Sequence, residues 1–113
     1  MTVEDIRNYC LSLRGVTEEF PFDNDTLVFK VYGKVFLLTG LSQPQLKVNL
    51  KCDPERAVEL RDQYDFVLPG YHMNKKHWNT VIYNGRNGKL LKELIDHSYD
   101  LVLKGIPKSK ITS

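Results

Sequence analysis

Two apolar runs, Leu27-Val28-Phe29-Lys30-Val31-Tyr32 and Val35-Phe36-Leu37-Leu38-Thr39-Gly40, are separated only by Gly33-Lys34. β-Branched and aromatic residues in such runs suit a pleated, half-buried surface. So short a connection predicts an antiparallel hairpin, with Gly33 as the residue able to take positive φ. The next segment, Gln45-Leu46-Lys47-Val48-Asn49-Leu50-Lys51, alternates apolar and polar residues strictly. Successive strand side chains point to opposite faces, so Leu46, Val48 and Leu50 are predicted against a core, with Lys47, Asn49 and Lys51 on a wet, cationic face. These runs call for an antiparallel sheet solvated on one side.

Helical signals flank the sheet. Thr2 is placed to cap a first helix, with Glu4 and Asp5 at the positive end of its dipole and Ile6, Tyr9, Cys10 and Leu13 on one face. Gly15 is its expected stop. Thr17 to Asn24 contains Phe20-Pro21-Phe22 and reads as an ordered loop crossing the sheet, because Pro21 cannot continue a helix. Asp53-Pro54-Glu55 starts a second helix expected to end near Gln63 or Tyr64. Phe66-Val67-Leu68 and Thr80-Val81-Ile82-Tyr83 read as strands, the latter closed by the turn signals Asn84-Gly85 and Asn87-Gly88. Leu90, Leu91, Leu94, Ile95, Ser98, Leu101 and Val102 trace a long last helix ending at Gly105. A flexible tail is expected over 108–113. The resulting order, α-β-β-β-α-β-β-α, predicts one α+β domain over 1–113: a two-layer sandwich in which about five antiparallel strands carry helices on one face.

At 113 residues the chain is one domain in size. Sixteen Lys and Arg against fourteen Asp and Glu leave a net charge of +2, a weaker electrostatic footprint than a strongly basic nucleic-acid binder carries. No apolar run approaches the ~20 residues that span a bilayer, and Met1-Thr2-Val3-Glu4-Asp5 lacks the pattern of a secretory signal. A cytoplasmic protein without a membrane partner is therefore expected, with Cys10 and Cys52 as reduced, core-lining thiols.

Specific chemistry concentrates between Pro69 and Val81, which hold His72, His77, Trp78, Asn74, Asn79, Lys75 and Lys76. His72 and His77 stand five apart, not the four or three of helical metal pairs, and no third ligand is near. No nucleophile with an oriented base, phosphate-cradling glycine loop or recognisable carboxylate pair appears. The sequence therefore predicts no enzyme, catalytic residue, metal or cofactor. Asn74 is placed to cap a short helical turn of Lys75, Lys76 and His77, presenting two lysines to a phosphate. Lys47, Lys51 and Arg86 would widen the cationic surface, and Tyr71 and Tyr83 could stack on bases. Trp78 is expected to anchor the core through its large apolar area.

Phe20-Pro21-Phe22, the hairpin from Val28 to Phe36, Leu50-Lys51-Cys52-Asp53-Pro54-Glu55, the run from Pro69 to Val81 and Leu94 to Val102 together resemble the MmcQ/YjbR-like family of small bacterial proteins. Tyr71-His72-Met73-Asn74-Lys75-Lys76-His77-Trp78 is the most specific part of that likeness. The resemblance implies a fold similar to the secretion-chaperone-like and CyaY-like two-layer folds, and a DNA-binding role. The expected function is contact with the phosphate backbone of DNA through Asn74, Lys75, Lys76, His72, His77, Lys47, Lys51 and Arg86. The alternative is a protein-binding adaptor or chaperone-like module, including self-association. A small-molecule pocket beside the histidines is a third reading.

Overall fold

The structure, a computed structural model, describes residues 1–70 and 73–111. The elements run α1 (Val3–Leu11), β1 (Val16–Glu19), β2 (Thr26–Val31), β3 (Lys34–Gly40), β4 (Lys47–Lys51), α2 (Pro54–Gln63), β5 (Val67–Pro69), β6 (Trp78–Ile82) and α3 (Gly88–Lys104). A 3₁₀ turn at Lys108–Lys110 follows. The six strands form one antiparallel sheet in the order β1-β2-β3-β4-β6-β5. The α+β class is as expected from the sequence.

The sixth strand is β1, where the sequence predicted a loop from Thr17. Val16 to Glu19 pair with Val31 to Val28, and Glu18 is held by Arg7 of α1 through two 2.7 Å contacts. The proline-bearing loop begins only after this strand. The β2–β3 turn also falls one residue earlier than expected: Tyr32 and Gly33 both take positive φ, 45° and 86°. Positive φ at both central residues follows the right-handed twist of a hairpin. At the other end of the chain, Lys108–Lys110 forms a 3₁₀ turn and Ile111 packs on the core; residues 112 and 113 of the tail expected over 108–113 lie outside the described residues.

Helix ends follow the capping chemistry. Thr2 and Asp5 form a reciprocal capping box at α1, and Asp53 caps α2 with Pro54 in its first turn. The α1 helix stops at Leu11, short of Gly15. Gly15 instead serves the turn into β1 with φ of 77°, and a Cβ there would lie 2.5 Å from the Tyr32 ring.

All three helices cover one face of the sheet. Leu27, Phe29, Val31, Leu37, Val48, Leu50, Val67 and Val81 share a core with Ile6 and Cys10 of α1, Ala57 and Leu60 of α2, and Leu91, Leu94, Ile95 and Val102 of α3. Cys10 and Cys52 are free and buried, and burial pushes the Cys10 thiol up to about 12 and raises that of Cys52. Ser98 of α3 reaches the sheet directly: its hydroxyl donates to the Phe36 carbonyl at 2.5 Å and accepts the Lys51 N–H at 2.9 Å. Phe36 and Tyr99 meet edge to face, their ring centroids 5.6 Å apart.

Candidate functional site

Strand parity assigns the other face. With Val48, Leu50 and Val81 in the core, Lys47, Asn49 and Lys51 of β4 and Trp78, Thr80 and Ile82 of β6 lie on the side free of helices, paired as Lys47 with Ile82, Asn49 with Thr80 and Lys51 with Trp78. Thr80 donates to the Asn49 side chain at 2.5 Å. The predicted alternation in β4 holds, with two differences: Leu46 is half-buried, and Lys47, Asn49 and Lys51 are half-buried too.

Trp78 is also half-buried, and its register opposite Lys51 sets it on the open face, not in the core the sequence predicted for it. Side chains directly opposite in such a pair stand about 4.5–5.5 Å apart at Cβ, so the indole and the lysine stem are neighbours. Gly70 permits the approach beneath: a Cβ on Gly70 would lie 2.9 Å from the Trp78 Cβ and carbonyl oxygen.

The turn before β6 is built by Asn74. Its Oδ1 accepts the Lys76 N–H at 2.9 Å, and its carbonyl accepts from His77 at 3.2 Å and Trp78 at 2.9 Å. These bonds close a single turn over 75–77 with Asn74 as its cap, the capped turn expected from the sequence, and it leaves Lys75 and Lys76 exposed at its tip. The Cys52 N–H donates to the His77 carbonyl at 2.7 Å, tying the turn to the end of β4. Arg61 of α2 clamps it from the helical side, donating to the Lys75 carbonyl at 3.2 Å and to Asn79 Oδ1 at 2.7 Å. Asn79 in turn donates to the Ala57 carbonyl at 3.3 Å. Periodicity marked Arg61 only as a helix residue, and no local pattern in the sequence reveals this long-range clamp.

Seven of the eight residues expected to form one surface are among the described residues, and they divide between two ends of the sheet. Lys51, Asn74, Lys75, Lys76 and His77 gather at the Trp78 end. Lys47 sits opposite Ile82, four residues or about 13 Å away along β4. Arg86 is at that far end too, in a turn where Asn84 Oδ1 accepts the N–H groups of Arg86 and Asn87. His72 lies outside the described residues, as does Tyr71. Lys76 lines a surface cleft with Glu55 and Glu59 of α2, so its positive charge is partly offset. The ion pairs among the described residues are Arg7 with Glu4 and Glu18, and Lys30 with Glu19, leaving Lys47, Lys51 and Lys75 without one.

A groove of about 580 Å³ runs beside these strands on the open face, lined by Leu38, Val35, Asn49, Phe22, Gln43 and Met73. Phe22 stands at its rim, 71 % exposed, with Phe20 of the same loop 46 % exposed. Asp23 does not project its charge freely, because its carboxylate accepts the N–H groups of Asp25 and Thr26; these bonds hold its pKa below the usual range. The sequence placed this loop across the sheet; the structure makes it one wall of a groove.

Comparison with known proteins bears on the same architecture. The YjbR family model matches residues 11–101. The chain belongs to the YjbR family. It is 38 % identical over 107 residues to YbdF of Escherichia coli O157:H7, covering 93 % of this chain and 87 % of that protein. YjbR of E. coli K12 is 31 % identical over 111 residues, covering 97 % and 94 %. The crystal structure of Deinococcus radiodurans DR2400, of domain DUF419, superposes with a TM-score of 0.90 at 46 % identity, covering 96 % of this chain and 84 % of that one. A Pseudomonas syringae protein superposes at 0.76 with 27 % identity, covering 90 % and 99 %. This YjbR-family chain shares its fold with both.

Proposed function

We propose that this protein binds nucleic acid, and single strands in preference to duplex, through the Trp78 end of its open sheet face. The observation that carries the reading is the cross-strand pairing of Lys51 with Trp78 on the face without helices, next to the turn that exposes Lys75 and Lys76. Aromatic rings beside cations on an open sheet are a stacking platform: bases lie on the ring and phosphates meet the amines. Asn49, held by the buried Thr80 hydroxyl, adds a polar group between the cations. Phosphate contacts of this kind position a strand without reading its sequence. Of the eight residues named from the sequence, this reading keeps Lys51, Lys75 and Lys76 at the site, adds Trp78, and treats Lys47 and Arg86 as separate, distal contacts.

Trp78 is the one tryptophan of the chain, so its emission reports directly on the site. Titration with an oligothymidylate at low ionic strength is expected to quench that emission, with log K falling linearly as log salt rises. A duplex of equal length is expected to bind more weakly and quench less. Unchanged emission and unchanged anisotropy of a labelled strand at low salt would overturn the reading.

The exposure of Phe22 and Phe20 beside the groove favours one second reading, a protein partner that covers the open face with an apolar side chain. Phe22→Ser separates the two: it abolishes partner capture in that reading and leaves strand binding near wild type in the first.

A further inference from the structure

On the helical side of the molecule, remote from the open face, a cleft of about 550 Å³ lies between α1 and α3. Its floor is core: Ile6 and Ile95 are fully buried. Tyr9 and Tyr83 form aromatic walls, and Asn8, Asp5 and Lys92 stand at the polar rim. That volume lies within the usual range for small-ligand sites, which combine an apolar lining with few polar groups.

The rim is unequal in what it has left to offer. The Asp5 carboxylate already accepts the Thr2 N–H at 2.8 Å and the Thr2 hydroxyl at 3.1 Å. The Tyr9 hydroxyl is committed to the Asp96 carboxylate, and that bond pushes the phenol up to about 12, so it stays protonated and neutral. Lys92 differs. Its ammonium makes no ion pair among the described residues and rests over the Tyr9 ring, 5.1 Å from the centroid. An ammonium has three N–H donors, and a ring face occupies one side of it. The cation–π contact also fixes where the charge stands, above an apolar-floored cleft.

We propose that the cleft binds a small aromatic carboxylate, its ring against Tyr9 and Tyr83 and its carboxylate on the Lys92 ammonium. Planar aromatic bodies match the two tyrosine walls, and the carboxylate supplies the acceptor that Lys92 lacks. The Asp5 and Asp96 carboxylates near the same rim are each engaged, by Thr2 and by Tyr9, which leaves the Lys92 ammonium as the charged group with donors to spare. Neither the Trp78 end of the sheet nor the 74–77 turn takes part, so this site stands or falls apart from nucleic-acid binding.

Phenylacetate is the probe, with phenylacetamide and phenethylamine as its neutral and cationic counterparts, followed by amide chemical shifts of the intact chain. Phenylacetate is expected to bind with a Kd on the order of 1 mM, moving the resonances of Asn8, Tyr83 and Lys92. Phenylacetamide should bind about fivefold more weakly, the worth of one exposed ion pair. Lys92→Met should reduce phenylacetate affinity by the same factor, and Lys92→Arg should restore it; exposed Lys92 tolerates both without loss of fold. No shift at these residues at about ten times that concentration would overturn the proposal. So would equal binding of all three probes, or phenylacetate binding that Lys92→Met leaves unchanged.

Discussion

Arg61 and Asn79 meet across the helix–sheet boundary, guanidinium Nη1 to amide Oδ1 at 2.7 Å, and the same Nη1 reaches the Lys75 carbonyl. Asn79 is buried, so Arg61 satisfies an oxygen that water does not readily reach. Arg61→Ala is expected to lower stability by about 1–3 kcal/mol, the cost of an unsatisfied buried acceptor. Urea denaturation measures that loss, and amide shifts of Lys75 and Lys76 should show the turn loosened. An unchanged turn would mean Asn74 alone maintains it.

Ser98 links Phe36 to Lys51 where the β3–β4 ladder ends. Ser98→Ala removes one hydroxyl and strands a carbonyl and an N–H together. An expected loss of about 2 kcal/mol follows, measured by thermal or urea unfolding. Ser98→Cys, of similar size but a weaker hydrogen-bonding group, should fall between the two.

Lys75→Ala combined with Lys76→Ala should leave stability nearly unchanged, because exposed lysines contribute little to folding. In the proposed function the pair weakens binding of all single strands alike and lowers the salt slope by about 1.4, since each lost contact removes about 0.7. Lys76, facing Glu55 and Glu59, is expected to supply the smaller share when the single variants are compared.

His97 carries a pH dependence. Its Nε2 accepts the N–H of Asp53, the cap of α2, at 3.2 Å, and only the neutral ring does so. Burial first, then the charge of Arg56, holds its pKa below the ordinary 6.5. The unfolded chain therefore takes up the proton more readily, so stability rises with pH between the folded value and 6.5. The contribution is complete above 6.5 and is lost as pH falls toward and through the lowered folded value. Urea midpoints from about pH 7 to about pH 5 should show this fall, and His97→Gln should flatten that part of the curve.

Where local chemistry acts alone, the sequence is a good guide. The Thr2 and Asp53 caps, the alternation in β4 and the apolar face of α3 each depend on neighbours a few residues away, and each has its structural counterpart. β1 escapes because Val16-Thr17-Glu18-Glu19 has no apolar alternation; its pairing with β2 and the hold of Arg7 on Glu18 are tertiary. Trp78 escapes for a related reason. Its type argues for the core, but the parity of β6 is fixed by Asn79 and Val81 on the helical side, which turns Trp78 outward. The cations likewise look contiguous only in sequence, since the length of β4 separates Lys47 from Lys51.

The two native thiols, sealed in the core and held protonated at neutral pH, have a practical consequence for chemistry on this molecule. Maleimides attack thiolates at the surface, so neither Cys10 nor Cys52 competes with a cysteine introduced there. A dye attached through Lys75→Cys, or a spin label through Phe22→Cys, would occupy a single address on an otherwise unaltered chain, and the turn and the groove could each be watched in turn.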